Sequence, residues 1–154
     1  MMMSSHLATF DWPRALRRYV VASGVGHLAW EIMQLPLYTI WSEPAQRQAF
    51  AVLHCTAGDL MIAGLCLIAA IALAAPHTWP EAGSRPVWLL LLFLGVGYTI
   101  FSEWLNVNVR GSWAYSPLMP TLPLLGTGLT PLIQWIVIPT VALKVMVATP
   151  RRQS

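Results

Sequence analysis

The stretch AFAVLHCTAGDLMIAGLCLIAAIAL, residues 49–73, decides the architecture. Apart from His54, Thr56 and Asp59 it carries no strongly polar side chain. A helix of this length covers about 37 Å, more than the ~30 Å of a bilayer's hydrocarbon core. Lipid offers the backbone no hydrogen-bond partner, so an apolar run this long crosses as a helix. Three further apolar runs, 19–40, 87–107 and 131–148, are long enough to do the same. Together the four predict an all-α fold, a polytopic membrane four-helix bundle forming one domain over residues 1–154.

Composition leads to the same class. Hydrophobic residues make up 56% of the chain and charged residues 10%, where a soluble domain carries about 25% charged. Mean hydropathy is +0.60. Six acids and nine bases cannot solvate the surface of a soluble globule of 154 residues, and disorder is equally excluded. Nor do the bases form a patch for nucleic acid; they sit at the ends of the apolar runs. Arg14, Arg17 and Arg18 precede the first run, Arg85 lies in the second connection, and Arg151 and Arg152 follow the fourth run. Only Arg47 and Arg110 lie in the other two connections. Six against two predicts both termini in the cytoplasm. The expected location is a bacterial inner membrane, and no cleavable signal peptide is evident.

The first two connections, 41–48 and 74–86, are short, and the second carries Pro76, Pro80, Gly83 and Pro86. The third, 108–130, is the longest and holds Trp113, Tyr115, three prolines, Gly126 and Gly128. It is expected on the outer side, resting at the interface or serving as a lid over a cavity. Cys55 and Cys66 share one helix about 16 Å apart, too far to pair, and read as small buried residues.

The residues that carry information are those that do not belong in lipid. A charge at the bilayer centre costs ~2.5–3.5 kcal/mol, so such groups usually mark function. Helical rise puts His27 about 12 Å and Glu31 about 18 Å from the inner side; Glu103 lies about 24 Å along the third helix. His54 and Asp59 lie about 8 and 15 Å from the outer side. Spacing puts His27, Glu31 and Gln34 on one face, and likewise Glu103 and Asn106. His54 and Asp59 diverge by about 140°, so they cannot aim at one spot. Gln134 completes the set from the fourth helix, and Trp30, Trp104 and Trp135 stand beside the polar positions. One polar cavity, open outward or sideways, would hold them all. Each also has a structural alternative. His27 could bond Glu31 inside the bundle, His54 could sit at the interface, and Asp59 could lock helices together. Glu103 could pair with Arg110, and Gln34, Asn106, Gln134 and the tryptophans could serve packing alone.

The segment Gly26-His27-Leu28-Ala29-Trp30-Glu31 resembles the histidine-to-glutamate helix of the EXPERA family, that of the emopamil-binding sterol isomerases. Leu132-Ile133-Gln134-Trp135 up to Pro139 is similar to that family's tryptophan-bearing last helix, and Ser102-Glu103 to its Thr-Glu pair. The family's second-helix glutamate has no counterpart, so His54 or Asp59 would have to replace it. Its asparagine three residues before the tryptophan is Leu132 here. The resemblance implies an isomerase-like bundle without a cofactor, taking a sterol- or isoprenoid-like lipid from the membrane. His27 and Glu31 would form the proton-transfer pair, and Asp59 or Glu103 would shuttle the second proton or steady the cation. Trp30, Gln34, His54, Trp104, Asn106, Gln134 and Trp135 are expected to line the pocket.

A His–Glu pair in a dry cavity can move protons, and a tryptophan face can steady a carbocation. Two other expectations use the same residues. His27, Glu31, His54, Asp59 and Glu103 could instead ligate zinc or iron in an intramembrane enzyme or transport protein. The bundle could also be a non-catalytic ligand-binding or partner subunit, for instance a homo-oligomer packed through small residues such as Gly58 and Gly64.

Overall fold

The computed structural model describes residues 10–80 and 84–148; Arg151, Arg152 and Gly83 lie outside them. Four α-helices form: α1 (Trp12–Gln34), α2 (Ala45–Ala74), α3 (Ser84–Glu103) and α4 (Leu129–Val147). No strand is present among the described residues.

Each helix starts and stops where backbone chemistry dictates. Asp11 caps α1 by accepting from the Arg14 N–H at 3.2 Å, with Pro13 in the first turn. Helix α1 therefore begins seven residues before the apolar run expected at residue 19, and takes in Arg14, Arg17 and Arg18. It ends early because Pro36 has no N–H to give; 3-10 turns at Leu35–Leu37 and Thr39–Ser42 follow. Pro44 precedes α2, and Pro76 lies just beyond its end. Past Glu103 the ladder of α3 widens into a π-helical turn, Trp104–Val109, where the Asn106 amide donates to the Ser102 carbonyl at 2.9 Å. Such turns often mark functional positions.

Helix α1 packs on α2 and α4, and α3 packs on α2 and α4, so the four close into a ring in chain order. Three helical stretches are long and apolar enough to cross a membrane: α2, Ser84–Val109 and α4. Helix α1 is not among them, because arginines, His27, Glu31 and Gln34 dilute its 23 residues. Those last three polar residues point inward, however. Its outer face is Val20, Val21, Val25, Leu28, Ile32 and Met33, all exposed. The outward faces of the others are equally apolar, as at Leu53, Leu65 and Ile68 in α2, Phe93 in α3 and Val141 in α4. An apolar surface of this extent is the mark of a membrane or protein contact.

Along the bundle axis the interior changes character. At the end bearing Arg14, Arg17, Arg18, Arg85 and Lys144 it is closed by small and branched side chains. Ala15, Ala63, Ala70, Val87, Leu91, Ala142 and Met146 are fully buried there. Tyr19 fills the centre, its hydroxyl donating to the Ala63 carbonyl at 3.1 Å. Cys66 belongs to this closed region, Cys55 does not, and both are free thiols.

The long connection is stitched onto the segment after α1. The Thr39 N–H donates to the Ala114 carbonyl, and the Ser116 N–H to that of Leu37, both at 2.9 Å, with Tyr38 opposite Tyr115. Of the segment expected to rest at the interface or to serve as a lid, only Arg110, Ser112 and Trp113 reach the cavity described next. The rest braces the end of the bundle.

Candidate functional site

Beneath the connections the helices part around a cavity of about 790 Å³, within the range typical of small-molecule pockets. Its wall takes Glu31 and Gln34 from α1, His54, Gly58 and Asp59 from α2, and Pro131, Gln134 and Trp135 from α4. Thr99 and Ser102 from α3 and Asn106 from the π-helical turn join them. Apolar and aromatic side chains, among them Tyr38, Ile40, Phe50, Val52, Ile62 and Tyr98, make up much of the remainder.

Gln134 organises the polar wall. Its side-chain nitrogen lies 2.9 Å from His27 Nδ1, 3.1 Å from Glu31 Oε1 and 3.0 Å from Asp59 Oδ2. Gln34 supports it from α1, donating to Glu31 Oε1 at 2.9 Å and to Gln134 Oε1 at 3.4 Å. His27 Nδ1 also lies 3.3 Å from Asp59 Oδ2. An amide nitrogen has two hydrogens and here faces three acceptor atoms. The count balances only when one of His27, Glu31 and Asp59 brings a hydrogen of its own to the shared contacts. The ring hydrogen of a neutral His27 on Nδ1 supplies it, and the cluster thus joins one histidine, two carboxyl groups and two amides from three helices.

His27 sits behind this wall. It is fully buried, does not line the cavity, and its Nε2 has no hydrogen-bond partner. Its ring lies 5.3 Å from that of Trp135, centroid to centroid. Trp135 is held in turn by α3. A Cβ on Gly95 would come within 2.5 Å of Trp135 Cε3, so only glycine at 95 lets the indole lie across α3.

Glu103 occupies a separate setting. It is buried, lies off the cavity wall, and accepts a hydrogen bond from the Tyr115 hydroxyl. The same hydroxyl accepts from the Gly128 N–H at 2.9 Å, so one phenol ties α3 to the start of α4. Burial pushes the Tyr115 phenol well above its ordinary value, and the bond to the Glu103 carboxylate pushes the same way. Tyr115 therefore remains a donor at any physiological pH. The alternative pairing of Glu103 with Arg110 does not form.

Of the residues expected at the site, Glu31, Gln34, His54, Asp59, Asn106, Gln134 and Trp135 line one cavity. His54 and Asp59 do diverge around α2, but the cavity is wide enough to take both as wall, with His54 stacked on Phe50 at 5.6 Å. Trp30 and Trp104 do not line it; Trp104 is half-exposed beside Phe101. Among the described residues no three His, Cys, Asp or Glu side chains form a group able to hold a metal ion. Where His27, Glu31 and Asp59 approach one another, the Gln134 amide nitrogen already occupies the focus. The sequence reading missed Tyr115 as a site partner, along with Tyr38, Thr99 and Tyr98 in the wall. A polar residue in an otherwise apolar run was its only signal, and loop tyrosines give none. No family model, curated protein or solved structure matches the chain.

Proposed function

We propose that this chain is an integral membrane protein with four spans and both termini cytoplasmic. Its cavity takes an apolar sterol- or isoprenoid-like lipid and shifts a double bond in it by proton transfer. The observation that carries this reading is the cavity itself, mostly apolar and about 790 Å³, with two carboxyl groups joined through one amide in its wall. The lipid-facing character of α1's outer surface supports the fourth span. The clustering of bases at the closed end supports the orientation.

Glu31 and Asp59 face the cavity, and these two touch the substrate. One protonates an alkene carbon, leaving a carbocation at its neighbour. The other removes a proton from the carbon on the far side, so the double bond moves and nothing else is gained or lost. Trp135 presents an aromatic ring to the cation, a contact worth about 0.5–2 kcal/mol. Gln134 holds both carboxyl groups in place, and His27, which the cavity does not reach, is a positioning residue behind them. Fixed, preorganised groups of this kind avoid reorganisation in the reaction.

The test is incorporation of solvent deuterium into an unsaturated sterol or isoprenoid by the full chain in lipid nanodiscs. Incorporation should fall by a factor of ~100 or more in Glu31→Gln and in Asp59→Asn. Label uptake that both variants leave at the native rate would refute the proton-transfer role.

A further inference from the structure

Two residues do not fit the topology that the remaining bases obey. Arg47 and Arg110 lie at the loop end, where the distribution of positive charge disfavours them, and both line the cavity. Arg47 is paired with Glu43 at 3.2 Å. Arg110 has no carboxylate partner among the described residues. The acids of the wall, Glu31 and Asp59, belong to the Gln134 cluster within the helices. The cavity therefore runs from a cationic rim to an acidic, apolar interior.

We infer that the ligand is an amphiphile with an oxyanion headgroup, phosphate or carboxylate, held at the rim by Arg110 with help from Arg47. This rests on the lipid-binding reading above and names the class of lipid. A guanidinium offers paired donors that match two oxygens of such a head. The charge gradient also sets the direction of entry. A head-first anion would meet Glu31 and Asp59, whereas a tail-first molecule leaves its head at Arg110 and brings its unsaturated chain to the carboxyl cluster.

Farnesyl phosphate, farnesol and inorganic phosphate, each titrated into the full chain in neutral detergent, test this through quenching of tryptophan fluorescence. Farnesyl phosphate should bind about tenfold or more tightly than farnesol, and the preference should shrink as salt is added. In Arg110→Gln the preference should collapse to about twofold or less, and Arg110→Lys should keep part of it. Thermal melts of both variants control for folding. Equal binding of alcohol and phosphate would overturn the headgroup site and leave the lipid cavity standing. Failure of both lipids to bind would remove the cavity reading and this inference together. Inorganic phosphate competing at the concentrations of farnesyl phosphate would make the site one for a free anion and overturn the amphiphile. An undiminished preference in Arg110→Gln would overturn the role of Arg110.

Discussion

The two ends of this bundle are built from the same four helices and have opposite interiors. At the basic end, alanines and branched side chains let the helices meet, and Tyr19 fills what space is left. At the loop end, the same ring parts around about 790 Å³. His27, Glu31 and Asp59 gather toward the open end, and there they are cross-linked through one amide rather than paired one to one. The contrast separates two tasks. Close packing of small residues secures the helices, as is usual in membranes. The expense of burying His27, Glu31 and Asp59 is confined to the region where a ligand can use them.

That division can be broken experimentally, most severely at its hub. Gln134→Leu leaves three ionisable side chains without their shared partner. A buried polar group that loses a hydrogen-bond partner costs about 1–3 kcal/mol, and three lose one here, which unfolding in detergent should register as a large loss. Unaltered stability would show that the amide organises nothing. A second probe adds volume at the closed end. Ala63 is fully buried, so Ala63→Leu should destabilise by about 1–3 kcal/mol through overpacking, with ligand affinity per folded molecule unchanged.

Tyr115→Phe removes the hydroxyl that joins Glu103 to the Gly128 N–H. The expected loss is about 1–3 kcal/mol, since a buried carboxyl group loses its donor. The native phenol is raised above its ordinary value of 10.0, so folding favours its protonated form. Its contribution is complete below pH about 10 and declines as pH rises through that value. Native protein should lose stability more steeply with rising alkalinity than Tyr115→Phe does; parallel profiles would exclude the bond. The gentlest change sharpens the contrast most. Gly58 lines the cavity, and a Cβ there would meet nothing within 4 Å. Gly58→Leu should alter stability by under about 1 kcal/mol, yet weaken lipid binding about tenfold or more by filling the cavity. Native affinity in that variant would put the ligand elsewhere.

Much of this was legible in the residues, and the gaps have physical causes. Apolar runs located α2 and α4 to within a few residues, because in lipid the helix and the hydrophobic run coincide. The run expected at 19–40 became α1 at Trp12–Gln34, shifted toward its arginines. Capping by Asp11 and the missing N–H of Pro36 set those limits, and hydropathy sees neither. The i,i+3 and i,i+4 spacings of His27, Glu31 and Gln34 foretold a shared face. That Gln134, 103 residues beyond Glu31, is their common partner depends on how α4 closes the ring, which spacing within one helix cannot show. Trp30 and Trp104 were expected beside the pocket because they adjoin Glu31 and Glu103 in sequence. Neighbours along a helix point about 100° apart, and both miss the cavity.

The two native cysteines sample the two interiors. Cys55 lines the cavity, and Cys66 is buried in the closed core. Methylmercury, a small permeant thiol reagent, should modify Cys55 in the folded chain and Cys66 only after unfolding, with farnesyl phosphate slowing the first reaction; mass spectrometry of the peptides reads both. Modification of the two thiols at equal rates, or a Cys55 as inert as Cys66, would contradict a bundle that is hollow at one end and solid at the other.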